Sequence, residues 1–461
     1  MKTARVILLG ILAIFATVVV FGAEPVVEKE YVRFDKEKKT FEANLESLPV
    51  DKVLEKVALA TGWDVFMDPG LTNQPNTKFN SLSQQEGLER MLRKINYAVF
   101  PETNGVPKLF VYRTKIHQAV RRISKFRTQR EKKDGPIANE LLISLKAGSK
   151  ETAAELAKRL GGKIVGEIKE LGLYRISFAD AEAAAAARTL LAGDPDIAAI
   201  DTNYIVDRPP TPETVQLSAA LGAGLSLTPV NNKDGLVIGL IDTPIQAKNP
   251  AVNGFLMDPL SIFSEVQSPT TFNHADGMAE TILKGIEVAG NSTTSAAKIL
   301  PIDVYGNSET TSTFDVANGI LMAIKNGASV VNLSLGTSAD SATLAQLIDY
   351  YSKQGILFVA AAGNESTSAA TYPAAYTSVL SVTASDRNGN IANYANYGSF
   401  VDVILPGTSL ISYGNRAYIG TGTSYSTALA SGMVAGLMGS KGVTATDAGA
   451  TMTTKFGFKA K

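Results

Sequence analysis

From residue 235 onward the chain is built of short, unbroken apolar runs separated by stretches of helical periodicity: LVIGLID, KILPIDVYG, SVVNLSLG, ILFVAAAGN and VLSVTAS. A strand with one wet face alternates apolar and polar residues. A run that is apolar throughout has to be covered on both faces. The pattern therefore predicts an α/β region, a parallel sheet with helices on both faces, whose functional loops gather at the carboxyl ends of the strands. At 461 residues the chain exceeds what one core serves, so smaller domains are expected upstream of this region.

Three segments of the α/β region carry chemistry. VIGLIDTPI places Asp242 at the end of the first strand, and FNHADGMAETI places His274 at the start of a helix. GTGTSYSTALASGMVAG places Ser424 just before the small-residue series Ala428, Ala430, Gly432, Ala435 and Gly436. That series reads as a helix, so Ser424 sits at a helix N-terminus, where backbone N–H groups face developing negative charge. Asp, His and Ser are the parts of a nucleophilic triad. The chain has two histidines, and only His274, not His117, follows an Asp-bearing strand in the same domain. A fourth segment, GILFVAAAGNESTSAATYPAAY, offers the Asn364 side-chain amide as a donor to an oxyanion. Taken singly, Asp242 could cap a turn, Asn364 could serve a loop and Ser424 could be a helix cap.

With these four motifs in this order, residues 236–439 resemble the subtilisin-like serine proteases, the subtilase (peptidase S8) family. The resemblance implies a serine endopeptidase working through an acyl-enzyme. Asp242 would orient His274, His274 would shuttle the proton, and Ser424 would attack the peptide carbonyl. The Ser424 N–H and the Asn364 amide would form the oxyanion hole, and the chemistry would need neither a metal nor an organic cofactor. ASVVNLSLG resembles the family's substrate-lining strand, which makes Ser334, Leu335 and Gly336 the substrate-binding edge. KILPIDVYG resembles the core strand before it. Three departures stand out. Pro244 replaces the usual Gly after Asp-Thr, the His helix reads His-Ala-Asp-Gly-Met-Ala-Glu for His-Gly-Thr-His-Val-Ala-Gly, and Tyr425 to Ala428 replace Met-Ala-Ser-Pro. Glu280 thus puts a charge where a Gly packs closely. Residues 284–297 read as a short loop, which argues against the calcium site the family often carries there.

Upstream, residues 1–23 combine Lys2 and Arg5 with an apolar run and a small-residue end, an export signal; an uncleaved anchor is the alternative. Residues 24–114 read as a small α+β module. A charged stretch over 24–39 comes first, then a strand at 40–45 and a helix at 50–60 on Val50, Val53, Leu54, Val57 and Leu59. A strand at 63–67, a helix at 84–95 and a hairpin of 97–100 with 109–112 complete it. The phrases LESLPVDKVLEKVALATGWDVFMDP and LSQQEGLERMLRKINYAVF resemble the short N-terminal module of secretins and TonB-dependent receptors, which implies an envelope protein partner. The basic run RRISKFRTQREKK lies in a linker, 115–136, and lacks the aromatic interleaving of a nucleic-acid surface. Residues 137–207 follow a β-α-β-β-α-β order, a ferredoxin-like unit whose last strand is read at 197–201. Placed before a subtilase-like region, this unit resembles the inhibitory propeptide. A Pro-rich linker, 208–235, leads into the catalytic domain, 236–461.

Lys plus Arg equals Asp plus Glu, 44 against 44, so net charge points to no nucleic-acid partner. There is no cysteine, which rules out thiol chemistry and disulfides while leaving export open. The reading is an exported, periplasmic, envelope or secreted endopeptidase acting on protein or peptide, made as a self-processing zymogen, with no membrane span once the signal is removed. The alternative is a catalytically weak or inactive subtilase-fold binding protein of the cell envelope.

Overall fold

A computed structural model describes residues 30–459, apart from 69, 102–105, 117, 118, 120, 124–133, 216–224, 231–234, 247–249, 266–268, 270, 414 and 415. The expected export signal lies outside the described residues. The chain divides into two compact units, Met1–Gln129 and Arg130–Lys461. No helix among the described residues is long and apolar enough to cross a membrane.

In the first unit Val50, Val53, Leu54 and Val57 of the helix Val50–Thr61 are buried at helical spacing, and Gly62 ends the helix in the left-handed region. Leu59 falls off that stripe and is 45% exposed, contrary to the core role expected for it. The strand Asp64–Met67 pairs in parallel with Lys108–Tyr112, which also forms the antiparallel hairpin with Asn96–Phe100. Three strands were not legible, one of them Thr77–Ser83, which pairs antiparallel with Thr40–Leu45. Tyr31–Asp35, inside the charged stretch, pairs with Thr40–Leu45, turning where the Asp35 carboxylate accepts the N–H groups of Glu37 and Lys38. Arg121–Ile123, inside the expected linker, pairs with Asp64–Met67 and buries Ile123.

The second unit opens with four antiparallel strands in the order Ile197–Asp207, Pro136–Leu145, Leu173–Ser177, Lys163–Ile168. Helices Ala153–Arg159 and Ala181–Leu190 complete the ferredoxin-like order. Its last strand runs six residues past the expected end, to Asp207, because Ile205–Asp207 find a second partner in Thr310–Ser312 of the α/β region. Two residues of this strand cap helices of the α/β region. Asn203 Oδ1 accepts the Phe314 N–H (3.1 Å) at the start of Thr313–Lys325. Asp201 Oδ2 accepts the Thr343 N–H (2.8 Å) at the start of Ala342–Ser352. Side-chain acceptors at such ends satisfy N–H groups that the helix leaves unpaired.

The α/β region is a seven-stranded sheet in the order Leu260–Ser261, Lys298–Asp303, Val237–Asp242, Ala328–Leu333, Leu357–Ala361, Val379–Ser385, Val403–Pro406, parallel throughout. Adjacent residues serve opposite cores. Ile238, Leu240 and Val330 pack with Met278, Ile282 and Val434 of helices His274–Gly290 and Thr423–Lys441. Ile241 and Val331 pack with Ala317, Ile320 and Leu347 of the helices on the other face. This is the subtilisin-like layering.

The two helices of the first face, here the His helix and the Ser helix, cross on glycine. A Cβ on Gly432 would run into the Ile282 carbonyl, and one on Gly285 into the Leu429 carbonyl. The backbones therefore touch with no side chain between them. The His helix continues to Gly290, so the stretch after it is shorter than the expected loop over 284–297.

Candidate active site

Asp242 closes the strand Val237–Asp242 and is buried; His274 opens the His helix and is buried. The imidazole Nδ1 lies 2.8 Å from Asp242 Oδ1 and 2.9 Å from Oδ2. An N–H at Nδ1 held by a carboxylate leaves Nε2 as the basic nitrogen. Ser424 is the second residue of the Ser helix, after an N-cap at Gly422 whose φ of 152° suits glycine. Its hydroxyl donates to the Ser334 carbonyl (3.2 Å), and the Ser334 hydroxyl donates to the Ser424 carbonyl (3.1 Å). The structure thus brings Asp242 and His274 together and turns Ser424 toward Ser334. Contacts of this kind often tighten only when substrate is bound.

Asn364 Oδ1 accepts the Thr423 N–H (2.8 Å) and hydroxyl (3.2 Å), which holds the amide against Gly422 and the head of the Ser helix. Ser334 and Leu335 are buried, and a Cβ on Gly336 would come within 2.9 Å of the Tyr372 carbonyl, so this edge admits no side chain there.

Several supporting residues were missed. Asn273 caps the His helix and its amide donates to the Pro244 carbonyl (2.9 Å). Thr243 Oγ1 donates to Asn273 Oδ1 (3.1 Å) and accepts the Ala275 N–H (3.1 Å). Asp276 accepts the N–H groups of Asn273 (2.9 Å) and Gln246 (3.0 Å). The sequence carries a hint of this in Asn273 and Asp276, three apart, the spacing of a capping box. Buried Asn396 holds the Asn364 loop, accepting from Glu365 N (2.9 Å) and donating to the Ala362 carbonyl (2.9 Å). Asn332 Nδ2 donates to the Ser334 hydroxyl (2.9 Å). Glu280 is accommodated in its buried place by Lys284 at 2.9 Å and the Ser412 N–H.

Burial, with the Asp242 charge adding to it, pushes the Asp276 carboxyl up to about 7. Burial also raises Glu280 and the Tyr425 phenol. Native Asp276 therefore keeps a proton that the unfolded chain releases near pH 3.8, and its contribution to stability is lost as pH rises from there through about 7. Asp276→Asn should flatten that dependence, so the mutant-minus-wild-type difference in Tm should move in the mutant's favour between about pH 4 and 7. A difference that stays constant across the window contradicts the assignment.

The linker after Asp207 is tied down around this site. The Arg208 N–H donates to the Glu309 carbonyl (2.9 Å), and its guanidinium to the carbonyls of Gly306 (3.0 Å) and Ser308 (2.8 Å). Pro212 is buried, with its Cγ 3.2 Å from a Cβ placed on Gly277, one turn into the His helix. Glu213–Val215 then pairs antiparallel with Arg416–Thr421, the strand that leads into Gly422 and Ser424.

Residues 233–455 match the subtilase family, and residues 123–203 match the fervidolysin N-terminal prodomain. Over 108 residues the chain is 40% identical to Subtilisin BL from Lederbergia lenta, a stretch covering 23% of this chain and 40% of that protein. Over 120 residues it is 39% identical to Thermitase from Thermoactinomyces vulgaris, covering 26% of this chain and 43% of that protein. The chain thus spans less than half the length of these curated relatives. The solved structure of the epidermin leader peptide processing serine protease from Staphylococcus aureus shares the fold, with a TM-score of 0.50 at 17% identity over 65% of this chain and 88% of the other. The region that matches the subtilase family therefore follows one that matches a prodomain, and the strand Ile197–Asp207 at the end of the latter pairs with Thr310–Ser312 of the former.

Proposed function

We propose that the chain is an exported serine endopeptidase made as a self-processing zymogen. The observation that carries this reading is the buried His274–Asp242 pair at 2.8 Å, with the ring of Tyr425, the residue after Ser424, 6.2 Å from the imidazole and Ser424 at a helix N-terminus in the region that matches the subtilase family. Asp242 holds the imidazole in one tautomer and stabilises the imidazolium. His274 takes the Ser424 proton through Nε2 and returns it to the leaving amine. Ser424 attacks the peptide carbonyl, and its own N–H and the Asn364 amide hold the oxyanion. Ser334, Leu335 and Gly336 line the bound peptide. The unit before residue 130 serves as a binding module for an envelope protein.

A fluorophosphonate label tests the assignment directly. It should attach to Ser424 in the wild type and leave Ser424→Ala unlabelled. The second reading, a non-catalytic subtilase-fold binding protein, has in its favour the Ser424 hydroxyl turned to the Ser334 carbonyl. An unlabelled wild type at every pH tried would establish it.

The zymogen reading rests on the path of residues 208–215, which run from the rim strand Thr310–Ser312 past the first turn of the His helix to the strand before Ser424. A tether held at both ends of the site excludes other peptides until it is cut. Wild-type protein should acquire a new N-terminus within 204–227, while Ser424→Ala remains full length after signal removal. Pro209, Pro210 and Pro212 disfavour the bonds around them, which points to the 215–227 half. Identical N-termini and masses in the two proteins would sink the idea.

A further inference from the structure

Two departures from the family pattern, Pro244 and Asp276, meet in space. The loop 243–246 follows Asp242 directly, and residues 273–276 start the His helix. Four hydrogen bonds zip them together. Thr243 Oγ1 donates to Asn273 Oδ1 and accepts from Ala275 N, Asn273 Nδ2 donates to the Pro244 carbonyl, and Gln246 N donates to Asp276 Oδ1. The other Asp276 oxygen, Oδ2, takes the Asn273 N–H, the residue immediately before His274. One carboxylate therefore holds the chain after Asp242 with one oxygen and the chain before His274 with the other. Pro244 has no N–H of its own to place in this buried loop, so only its carbonyl needs a partner, and Asn273 supplies it.

The geometry points to Asp276 as a positioning residue that clasps the Asp242 loop to the start of the His helix and so fixes the Asp242–His274 pair. This rests on the proposed catalytic reading of that pair. The clasp is complete only as a carboxylate, since each oxygen accepts an N–H and a protonated carboxyl keeps one good acceptor. The titratable groups around it are Asp242 on the strand and His274, Glu280 and Lys284 on its own helix. Tyr413 and Tyr425 face it from the elements packed against that helix. Asp242 and the burial both favour protonation, which places the opening of the clasp near neutral pH.

The test uses the full chain carrying Ser424→Ala, which removes self-cleavage, and His117→Gln, which leaves His274 as the single imidazole. Its imidazole NMR signals are followed against pH, with Asp276→Asn and Glu280→Gln compared in the same background. The expected result is a His274 titration in two steps with Asp276 present, in one step with Asp276→Asn, and unchanged by Glu280→Gln. In otherwise wild-type protein, Asp276→Asn should slow fluorophosphonate labelling of Ser424 at pH 8 by roughly 10- to 100-fold, the size expected for a small misplacement of reacting groups. Its rate profile should lose one ionisation on the acid side. A one-step titration shared by all the proteins overturns the clasp, as does an effect of Glu280→Gln equal to that of Asp276→Asn. If Asp276→Asn fails to fold, the titration with Asp276 in place still decides, because a single step there excludes coupling. A wild type that never labels, with a His274 titration that still changes with Asp276, defeats the catalytic reading and leaves the clasp standing.

Discussion

Replacing Ser424, His274 or Asp242 by alanine is expected to lower kcat/KM on peptide substrates by a factor of roughly 10⁴ to 10⁶. Without Ser424 there is no nucleophile. Without His274 the hydroxyl keeps its proton and the amine leaves unprotonated. Without Asp242 the ring loses the partner held at 2.8 Å and with it the tautomer that exposes a basic Nε2. Because the three act as one device, a Ser424→Ala/His274→Ala double substitution should fall little further than Ser424→Ala alone. Turnover of a peptide library, with a thermal melt of each variant as a folding control, provides the measurement. Wild-type turnover by a folded Ser424→Ala protein would make the assignment wrong.

Asn364→Ala should reduce kcat roughly 10²- to 10³-fold while KM stays within about twofold. Asn364 Oδ1 is occupied by the Thr423 N–H and hydroxyl, which holds the amide at the head of the helix that carries Ser424. A donor that meets negative charge only as the tetrahedral intermediate forms contributes to the transition state and little to the ground state. A large rise in KM at normal kcat would make Asn364 a substrate-binding or structural residue. Thr423 loses an acceptor in this variant, so Thr423→Val, which removes its hydroxyl while keeping Asn364, gauges the structural share.

The candidate site residues stand out in the sequence where the proposed chemistry would demand a rare residue in a distinctive setting. Two histidines in the whole chain, a serine after Gly-Thr at the head of a small-residue helix and an aspartate closing an apolar strand leave little choice. The residues that hold them were not legible. Asn273, Asn332 and Asn396 are of a common type, and their roles depend on partners brought close by folding, such as Asn332 with Ser431, 99 positions away. The same holds for the strand ending at Asp207. Nothing local extends it, and its second partner lies about a hundred residues downstream at Thr310–Ser312. Tyr31–Asp35 was hidden differently, since Val32 alone is buried in it and its alternation is thin. Leu59 was misread because a helical stripe narrower than the apolar content leaves a leucine outside it.

The glycine crossing of the His and Ser helices bears on how this site tolerates change. A contact made of main chain has no rotamers to choose among, so the spacing between the helix that begins at His274 and the one that carries Ser424 is a fixed gauge, set about two to three helical turns away from either reactive group. Substitutions near the chemistry, among them Pro244, Asp276 and Tyr425, alter the surroundings of the reacting atoms without moving that gauge. The freedom to vary sequence around the motifs and the inability to vary Gly285 and Gly432 then have one origin.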